Sequence, residues 1–141
     1  MATITPNPMG LYFIKRIDVN AKDGDLSLVG LFQNRSFSTF PSAPVEMTVF
    51  TMLHGGRGEG ILQLGVYLLN EMEEYNTRSD WIYRQRKWIS FPNEPDFLVT
   101  IELKLRKLRF LDAGEYVFVL SFDDKLVTER RMSVRTRKAK S

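Results

Sequence analysis

Hydrophobic and polar residues alternate along much of this chain with the two-residue period of half-buried β-strands. The clearest example spans residues 97–110. One face holds Val99, Ile101, Leu103 and Leu105, and the other holds Thr100, Glu102, Lys104 and Arg106. After Leu105 the apolar set moves to Leu108 and Phe110, which shifts its phase by one residue. We therefore predict a β-bulge at Arg106–Lys107 that returns the apolar side chains to the inner face.

The same pattern predicts eight strands and no long helix. The strands lie in residues 11–19, 26–32, 45–54, 61–70, 81–91, 97–110, 116–122 and 126–134. Turn-forming residues at 20–25 join the first two strands into a hairpin, and two prolines within residues 37–44 interrupt pairing. Short strands between repeated turn signals, without alternating helices, indicate an all-β sandwich.

Residues 110–134 carry a motif found in sandwich proteins. Leu111, Asp112, Gly114 and Tyr116 fit the L-D-x-G-x-Y pattern of a tyrosine corner. In that motif a tyrosine at the edge of the core bonds to upstream backbone through its hydroxyl. We therefore predict an immunoglobulin-like antiparallel β-sandwich of about eight strands, with structural roles for Asp112, Gly114 and Tyr116.

The turn of the last hairpin follows from the phase of its apolar residues. A two-residue turn at Asp123–Asp124 would put the apolar sets of the two strands on opposite faces. A three-residue turn ending at Lys125 pairs Phe122 with Leu126 and Tyr116 with Met132. We predict this turn, or a compensating bulge, and we expect Arg130 to lie opposite Phe118.

Composition indicates one globular domain. The 141 residues are 43% hydrophobic and 26% charged, which suffices for a core without disulfides or metal ions. We predict a flexible or edge-hugging leader at residues 1–9, a single β-sandwich domain at 10–135 and a basic disordered tail at 136–141. No secretory signal is visible, and no apolar run is long enough to span a membrane. These features favour a soluble, cytoplasmic protein.

Few residues are suited to catalysis. The chain has no cysteine and one histidine, His54, at the end of a predicted strand. The glycine-rich residues 54–60 join two strands, whereas phosphate-binding loops lead into a helix, so we interpret them as a hairpin tip with Arg57 exposed. The acidic clusters at residues 71–74 and at Asp123–Asp124 are interpreted as turns and solvated surface. We expect no enzymatic activity, no metal ion and no cofactor.

Basic and aromatic residues interleave in two consecutive predicted strands, 81–91 and 97–110. If these strands pair, they form one surface suited to a protein partner or to phosphate contact and base stacking. The alternative is a solvated sheet face on which arginine stems cover tryptophan rings. The candidate residues are Arg57, Trp81, Arg84, Arg86, Lys87, Trp88, Lys104, Arg106 and Lys107. The last 17 residues add seven basic residues against one acidic residue, which favours anion affinity or solubility.

Three segments resemble a known family. They are KDGDLSLVGLF at residues 22–32, MLHGGRGEG at 52–60 and AGEYVFVLSFDDKLVTERRMSV at 113–134. Over about residues 11–135 their order is similar to that of an uncharacterised family of small bacterial β-sandwich proteins, a domain of unknown function. The chain departs from the family in having Asp124 at a common turn glycine and a charged, aromatic insertion at residues 71–88. The resemblance implies the fold and no activity.

The missing catalytic groups favour a non-catalytic binding or assembly module. Its partner would be another protein or a second copy of the chain, contacted through a sheet face or loop tips. The alternative is an accessory protein associated with nucleic acid or another anion through the basic-aromatic strands and the tail. A third hypothesis is a carbohydrate-binding protein or carboxylate-based hydrolase, with Trp81 and Trp88 stacked on sugar. No membrane partner is expected.

Overall fold

The computed structural model describes residues 3–69, 81–94 and 97–138, and within these ranges all regular structure is β. Eleven strands form, and no helix capable of crossing a membrane occurs in the described ranges. The strands are β1 (Asn7–Pro8), β2 (Tyr12–Ile14), β3 (Arg16–Val19), β4 (Leu26–Val29), β5 (Asn34–Phe37), β6 (Val45–His54), β7 (Glu59–Leu68), β8 (Trp81–Ser90), β9 (Val99–Leu108), β10 (Gly114–Phe122) and β11 (Lys125–Thr136).

The strands form three sheets. A five-stranded sheet has the order β5-β11-β10-β7-β8, and its pairs are antiparallel except for β5 beside β11. A four-stranded sheet is built on β6, which pairs antiparallel with β1, β2 and β9. Strands β3 and β4 form a separate two-stranded sheet. The two larger sheets therefore account for nine of the eleven strands.

One hydrophobic core lies between the two larger sheets. Each sheet turns alternate apolar residues toward it, as the two-residue period requires. The rings of Phe13 from β2 and Phe118 from β10 meet there with centroids 4.6 Å apart, and both residues are fully buried. Phe91 and Phe122 form a second aromatic pair at 5.3 Å. Burial of these side chains, at roughly 25 cal/mol per Å² of apolar surface, is the main stabilising contribution.

Arg130 adds a polar link to this core. It lies opposite Phe118 on β11, as the phase of the hairpin predicts. Its Nη1 donates a hydrogen bond of 2.8 Å to the carbonyl oxygen of Leu11, and its guanidinium carbon lies 5.8 Å from the centre of the Phe13 ring. The half-buried charge is therefore satisfied by backbone and by an aromatic face. The bond joins residues 119 positions apart in the chain.

The expected number of eight strands is wrong, since the described residues form eleven. The predicted strand 11–19 divides into β2 and β3 because its first part pairs with β6 and its second part with β4. Strand β5, which was not predicted, pairs with β11 just before the proline-containing segment. Within the expected leader, Asn7 and Pro8 form β1, which pairs with β6.

The predicted bulge in β9 is confirmed. Met47 pairs with Leu105 and Val45 pairs with Leu108, so β9 has one residue more than β6 over this interval. Leu105 and Leu108 are both fully buried, whereas Arg106 and Lys107 are exposed. The bulge thus keeps the apolar side chains in the core on both sides of the phase shift.

The last hairpin follows the second predicted alternative. The three-residue turn is wrong: Asp123 and Asp124 form a two-residue turn, with φ of 47° and 65°, and Phe122 pairs with Lys125 rather than with Leu126. A bulge then lets Leu120 pair with Thr128 while Ser121 pairs with Leu126. The pairing of Tyr116 with Met132 is confirmed. Positive φ at both central residues is the geometry that matches the twist of paired strands, which favours the tight turn.

The L-D-x-G-x-Y segment forms a hydrogen-bonded connection into β10. Tyr116 is fully buried, and its hydroxyl donates a bond of 2.7 Å to the carbonyl oxygen of Asp112. The backbone N–H of Asp112 donates to the same hydroxyl at 3.3 Å. Gly114 has φ of 152°, and a Cβ there would lie 2.9 Å from Cδ1 of Leu68. Asp112, Gly114 and Tyr116 are thus brought together at the entry into β10.

We predict that Tyr116→Phe lowers the free energy of unfolding by about 1–2 kcal/mol, because the partly buried hydrogen bond to the Asp112 carbonyl is lost. Burial raises the pKa of Tyr116 above its ordinary value of 10.0. The protonated hydroxyl therefore contributes fully to the free energy of unfolding below pH 10. This contribution is lost as the pH rises through the raised pKa. Urea unfolding at pH 7 and at increasing alkaline pH measures both effects. Equal losses for Tyr116→Phe and the control Tyr12→Phe at pH 7 would contradict this prediction.

We also predict that Asp124→Gly raises the free energy of unfolding by about 0.5–1 kcal/mol, because glycine adopts the positive φ of this turn position without steric cost. Asp123→Gly is the matched control. This control removes a carboxylate that accepts a 2.8 Å hydrogen bond from the backbone N–H of Ile61. Its free energy of unfolding is therefore expected to rise less than that of Asp124→Gly, or to fall. Thermal unfolding compares the two variants, and a midpoint below wild type for Asp124→Gly would exclude the explanation.

Candidate partner-binding surface

The outer face of β7 and β8 holds four of the nine aromatic and basic residues predicted from the sequence. Leu62, Leu64 and Val66 of β7 enter the core, so the alternate residues of β7 and their β8 partners lie on the opposite face. We call this surface the β7–β8 face. It consists of Ile61, Gln63, Gly65 and Tyr67, paired respectively with Trp88, Arg86, Arg84 and Trp81.

One half of the β7–β8 face is closed by packing. The Trp81 ring lies over Gly65, where any Cβ would overlap it, and it meets Tyr67 edge-on with centroids 5.6 Å apart. Val117 and Val119 of the neighbouring strand β10 are each only 2% exposed, although they lie outside the main core. Trp81 therefore has a packing role in this satellite cluster, and Gly65 is the residue that makes room for it.

The other half of the face is open to solvent. Trp88 is 62% exposed and its cross-strand partner Ile61 is 42% exposed. Beside them, Nε of Arg86 donates a hydrogen bond of 2.8 Å to Oε1 of Gln63, which holds the guanidinium against the sheet. An exposed tryptophan paired with an exposed isoleucine on two hydrogen-bonded strands is a rigid apolar contact point.

A shallow depression of about 160 Å³ adjoins this open half. Its lining combines the Arg86 guanidinium with the carboxylates of the turn between β10 and β11. The turn is fixed there by two bonds, from Asp123 N–H to the Ile61 carbonyl at 2.9 Å and from Ile61 N–H to the Asp123 carboxylate at 2.8 Å. The lining residues are Ile61, Gln63, Arg86, Asp123 and Asp124. The surface thus offers apolar, cationic and anionic groups side by side.

The predicted single surface across strands 81–91 and 97–110 is wrong, because those strands do not pair. Strand β8 pairs with β7 in the five-stranded sheet, whereas β9 pairs with β6 in the other. Lys104 and Arg106 instead line a second depression, of about 170 Å³, which also contains Glu46 and Glu102. Lys104 Nζ lies 3.8 Å from Oε1 of Glu102, so this second surface has mixed charge.

The remaining predicted residues lie apart from the open half. Arg57 is exposed at the hairpin tip between β6 and β7, where its backbone exchanges bonds of 3.1 and 3.2 Å with Ile4. Lys87 pairs with the core residue Leu62 and so belongs to the other face of β8, although it is exposed at the sheet edge. Lys107 lies in the bulge of β9. The structure therefore brings together Trp81, Arg84, Arg86 and Trp88 from the predicted set.

Two contributors to this surface escaped the sequence analysis. Ile61 and Gln63 are not among the candidate residues, yet Ile61 is exposed. The alternation of Ile61, Gln63 and Gly65 with buried leucines is the signal that identifies their outward face. Within the described ranges, no three histidine or acidic side chains converge as metal ligands. The acidic residues 71–74 lie outside those ranges.

Fold and surface together define an all-β protein with an exposed aromatic and basic patch on one sheet. The chain belongs to a family of unknown function (DUF6941), whose profile matches residues 18–135. The expected membership of a domain of unknown function is therefore confirmed. No curated protein matches the chain.

The packing of Trp81 on Gly65 yields a further prediction. Gly65→Ala is expected to lower the free energy of unfolding by about 1–3 kcal/mol, because the added methyl group overlaps the indole ring. In a Trp81→Ala background most of that loss disappears. Urea unfolding of the wild type, both single variants and the double variant measures the coupling. The same loss from Gly65→Ala in both backgrounds would show that the two residues do not interact.

Proposed function

We propose that this protein is a non-catalytic binding module that recognises another protein through the open half of the β7–β8 face. The observation that carries the proposal is Trp88, which is 62% exposed beside the exposed Ile61 on two paired strands. Burial of an exposed tryptophan and isoleucine in a partner's pocket is a common source of binding energy, and tryptophan and arginine are enriched at such positions. Arg86, held by Gln63, is preorganised for the same contact.

We infer that the scaffold of this module is an immunoglobulin-like sandwich with a tyrosine corner. Support comes from the two larger sheets, which enclose one core, and from the parallel pairing of β5 with the last strand. The bonds between the Tyr116 hydroxyl and the Asp112 backbone support the corner. Such sandwiches commonly present one sheet face to a partner while the other face packs internally.

The nucleic-acid alternative has one observation in its favour. Arg84, Arg86 and Trp88 share one face of β8, which combines phosphate contacts with a stacking ring. Two features favour a protein partner instead. Asp123 and Asp124 adjoin the β7 side of the patch and confine its positive charge to β8, and the cations Lys104 and Arg106 belong to the other sheet. The two partners differ in salt response, since phosphate contacts weaken steeply with ionic strength.

Site-specific cross-linking in native cells tests the proposal. A photoreactive residue at position 61 or 88 is expected to give one discrete protein adduct, and the same residue at position 27 of strand β4 is the control. The adduct partner is then purified and its affinity measured. Trp88→Ala is expected to weaken binding at least tenfold, which corresponds to about 1.4 kcal/mol. Leu31→Ala, at a comparably exposed residue outside this sheet, is expected to change it less than twofold.

Two results would count against the proposal. Adducts that form only from position 27 would show that the partner binds the β3–β4 hairpin instead. Binding of short single-stranded or duplex oligonucleotides that depends on Trp88 and collapses between about 50 and 200 mM salt would favour the nucleic-acid alternative.

A further inference from the structure

We propose that β8 receives an extended acidic segment of the partner, which adds to the five-stranded sheet as a sixth strand. This inference rests on the proposed function and specifies how the partner binds. It depends on a juxtaposition along one strand: open backbone hydrogen-bonding groups, an exposed tryptophan and a row of cations all belong to β8.

The open backbone groups of β8 can be assigned from the register. Asp123 N–H bonds to the Ile61 carbonyl, so Ile61 and its alternates on β7 direct their backbone groups toward β10. Residues opposite them on β8 then direct theirs away from β7, because alternate pairs in an antiparallel ladder exchange no hydrogen bonds. These residues are Arg84, Arg86, Trp88 and Ser90. Among the described residues, β7 is the only strand that pairs with β8.

The backbone groups that point away from β7 thus belong to the same residues whose side chains face the outer surface. A strand added along this edge would place alternate side chains beside Arg84, Arg86 and Trp88, at the distances of cross-strand neighbours. Backbone bonds would supply affinity, and these three side chains would supply selectivity, as in other cases of strand addition.

Charge identifies the class of segment that fits. Strand β8 carries Arg84, Arg86 and Lys87 and no acidic residue. Neither of the two ion pairs among the described residues includes any of these cations. A segment with acidic residues at alternate positions would place carboxylates opposite the arginines, which stabilises cross-strand pairs.

The same charges disfavour a second copy of this chain. Two β8 strands paired antiparallel about Arg86 would place the two Arg86 side chains opposite each other, which destabilises the pair. Cations on an edge strand are also a common protection against such self-pairing. Protection alone does not account for Trp88, whose exposed ring on the same edge strand would promote association.

Peptide binding monitored by NMR tests the inference on the full chain. The probe is a six-residue peptide alternating glutamate and valine, with glycine-serine ends and blocked termini. It is expected to shift the amide resonances of residues 84–90 and to slow exchange of the Arg84, Arg86 and Trp88 amide protons at least fivefold. A peptide with lysine in place of glutamate should not bind at 150 mM salt. Arg84→Glu with Arg86→Glu should reverse this preference.

Backbone chemistry separates strand addition from side-chain docking. Methylation of alternate peptide nitrogens in the glutamate-valine probe is expected to abolish binding, since each methyl group removes a ladder donor. Undiminished binding of the methylated probe, lost with Trp88→Ala, would overturn strand addition while leaving the proposed binding face intact. Probe shifts confined to β5 or β9 would also overturn it. So would slow exchange of the β8 amides in a peptide-free dimer, because the second copy would then be the occupant.

Discussion

The alternation of core-facing and outward-facing residues along β7 is the constraint on which the rest of the structure depends. Its residues Leu62, Leu64 and Val66 enter the core, and the residues that alternate with them lie on the β7–β8 face. A shift of one residue would exchange these two sets. The strand is held from both sides, by β10 and by β8, so the position of Ile61 beside Trp88 follows from the packing of the core. The packing of the hydrophobic core therefore fixes the positions of the residues on the candidate surface.

Local sequence patterns predicted features that depend on neighbouring residues. The bulge at Arg106–Lys107 follows from a phase shift that lies within a single strand. The connection from Asp112 to Tyr116 likewise joins residues only four positions apart. For the final hairpin, the phase of the apolar residues required either a three-residue turn or a compensating bulge, and it did not distinguish between them. The protein forms the two-residue turn with a bulge, in which the Asp123 carboxylate accepts a hydrogen bond from the N–H of Ile61. Ile61 is 62 positions away in the chain, so no local sequence pattern includes that contact.

Sheet membership was the part that the sequence could not determine. Strands β8 and β9 are consecutive in the chain and have similar basic composition, which made their pairing a reasonable expectation. They separate because Phe91, the first residue after β8, is anchored in the core: it bonds to the Gly58 carbonyl through its N–H and packs its ring against Phe122. The choice between neighbours in a sheet depends on such long-range packing, whereas alternation reports only which face of a strand is buried.

The bond from Arg130 to the Leu11 carbonyl also bears on how the protein folds during synthesis. It closes a loop of more than a hundred residues, and β11 supplies the last element of the core through Met132 and Val134. While β11 is still inside the ribosome, the nascent chain cannot cover Phe13 and Phe118 with their native neighbours. Native closure of the core therefore waits until β11 has emerged, and a nascent chain arrested before residue 130 exposes apolar strands to chaperones.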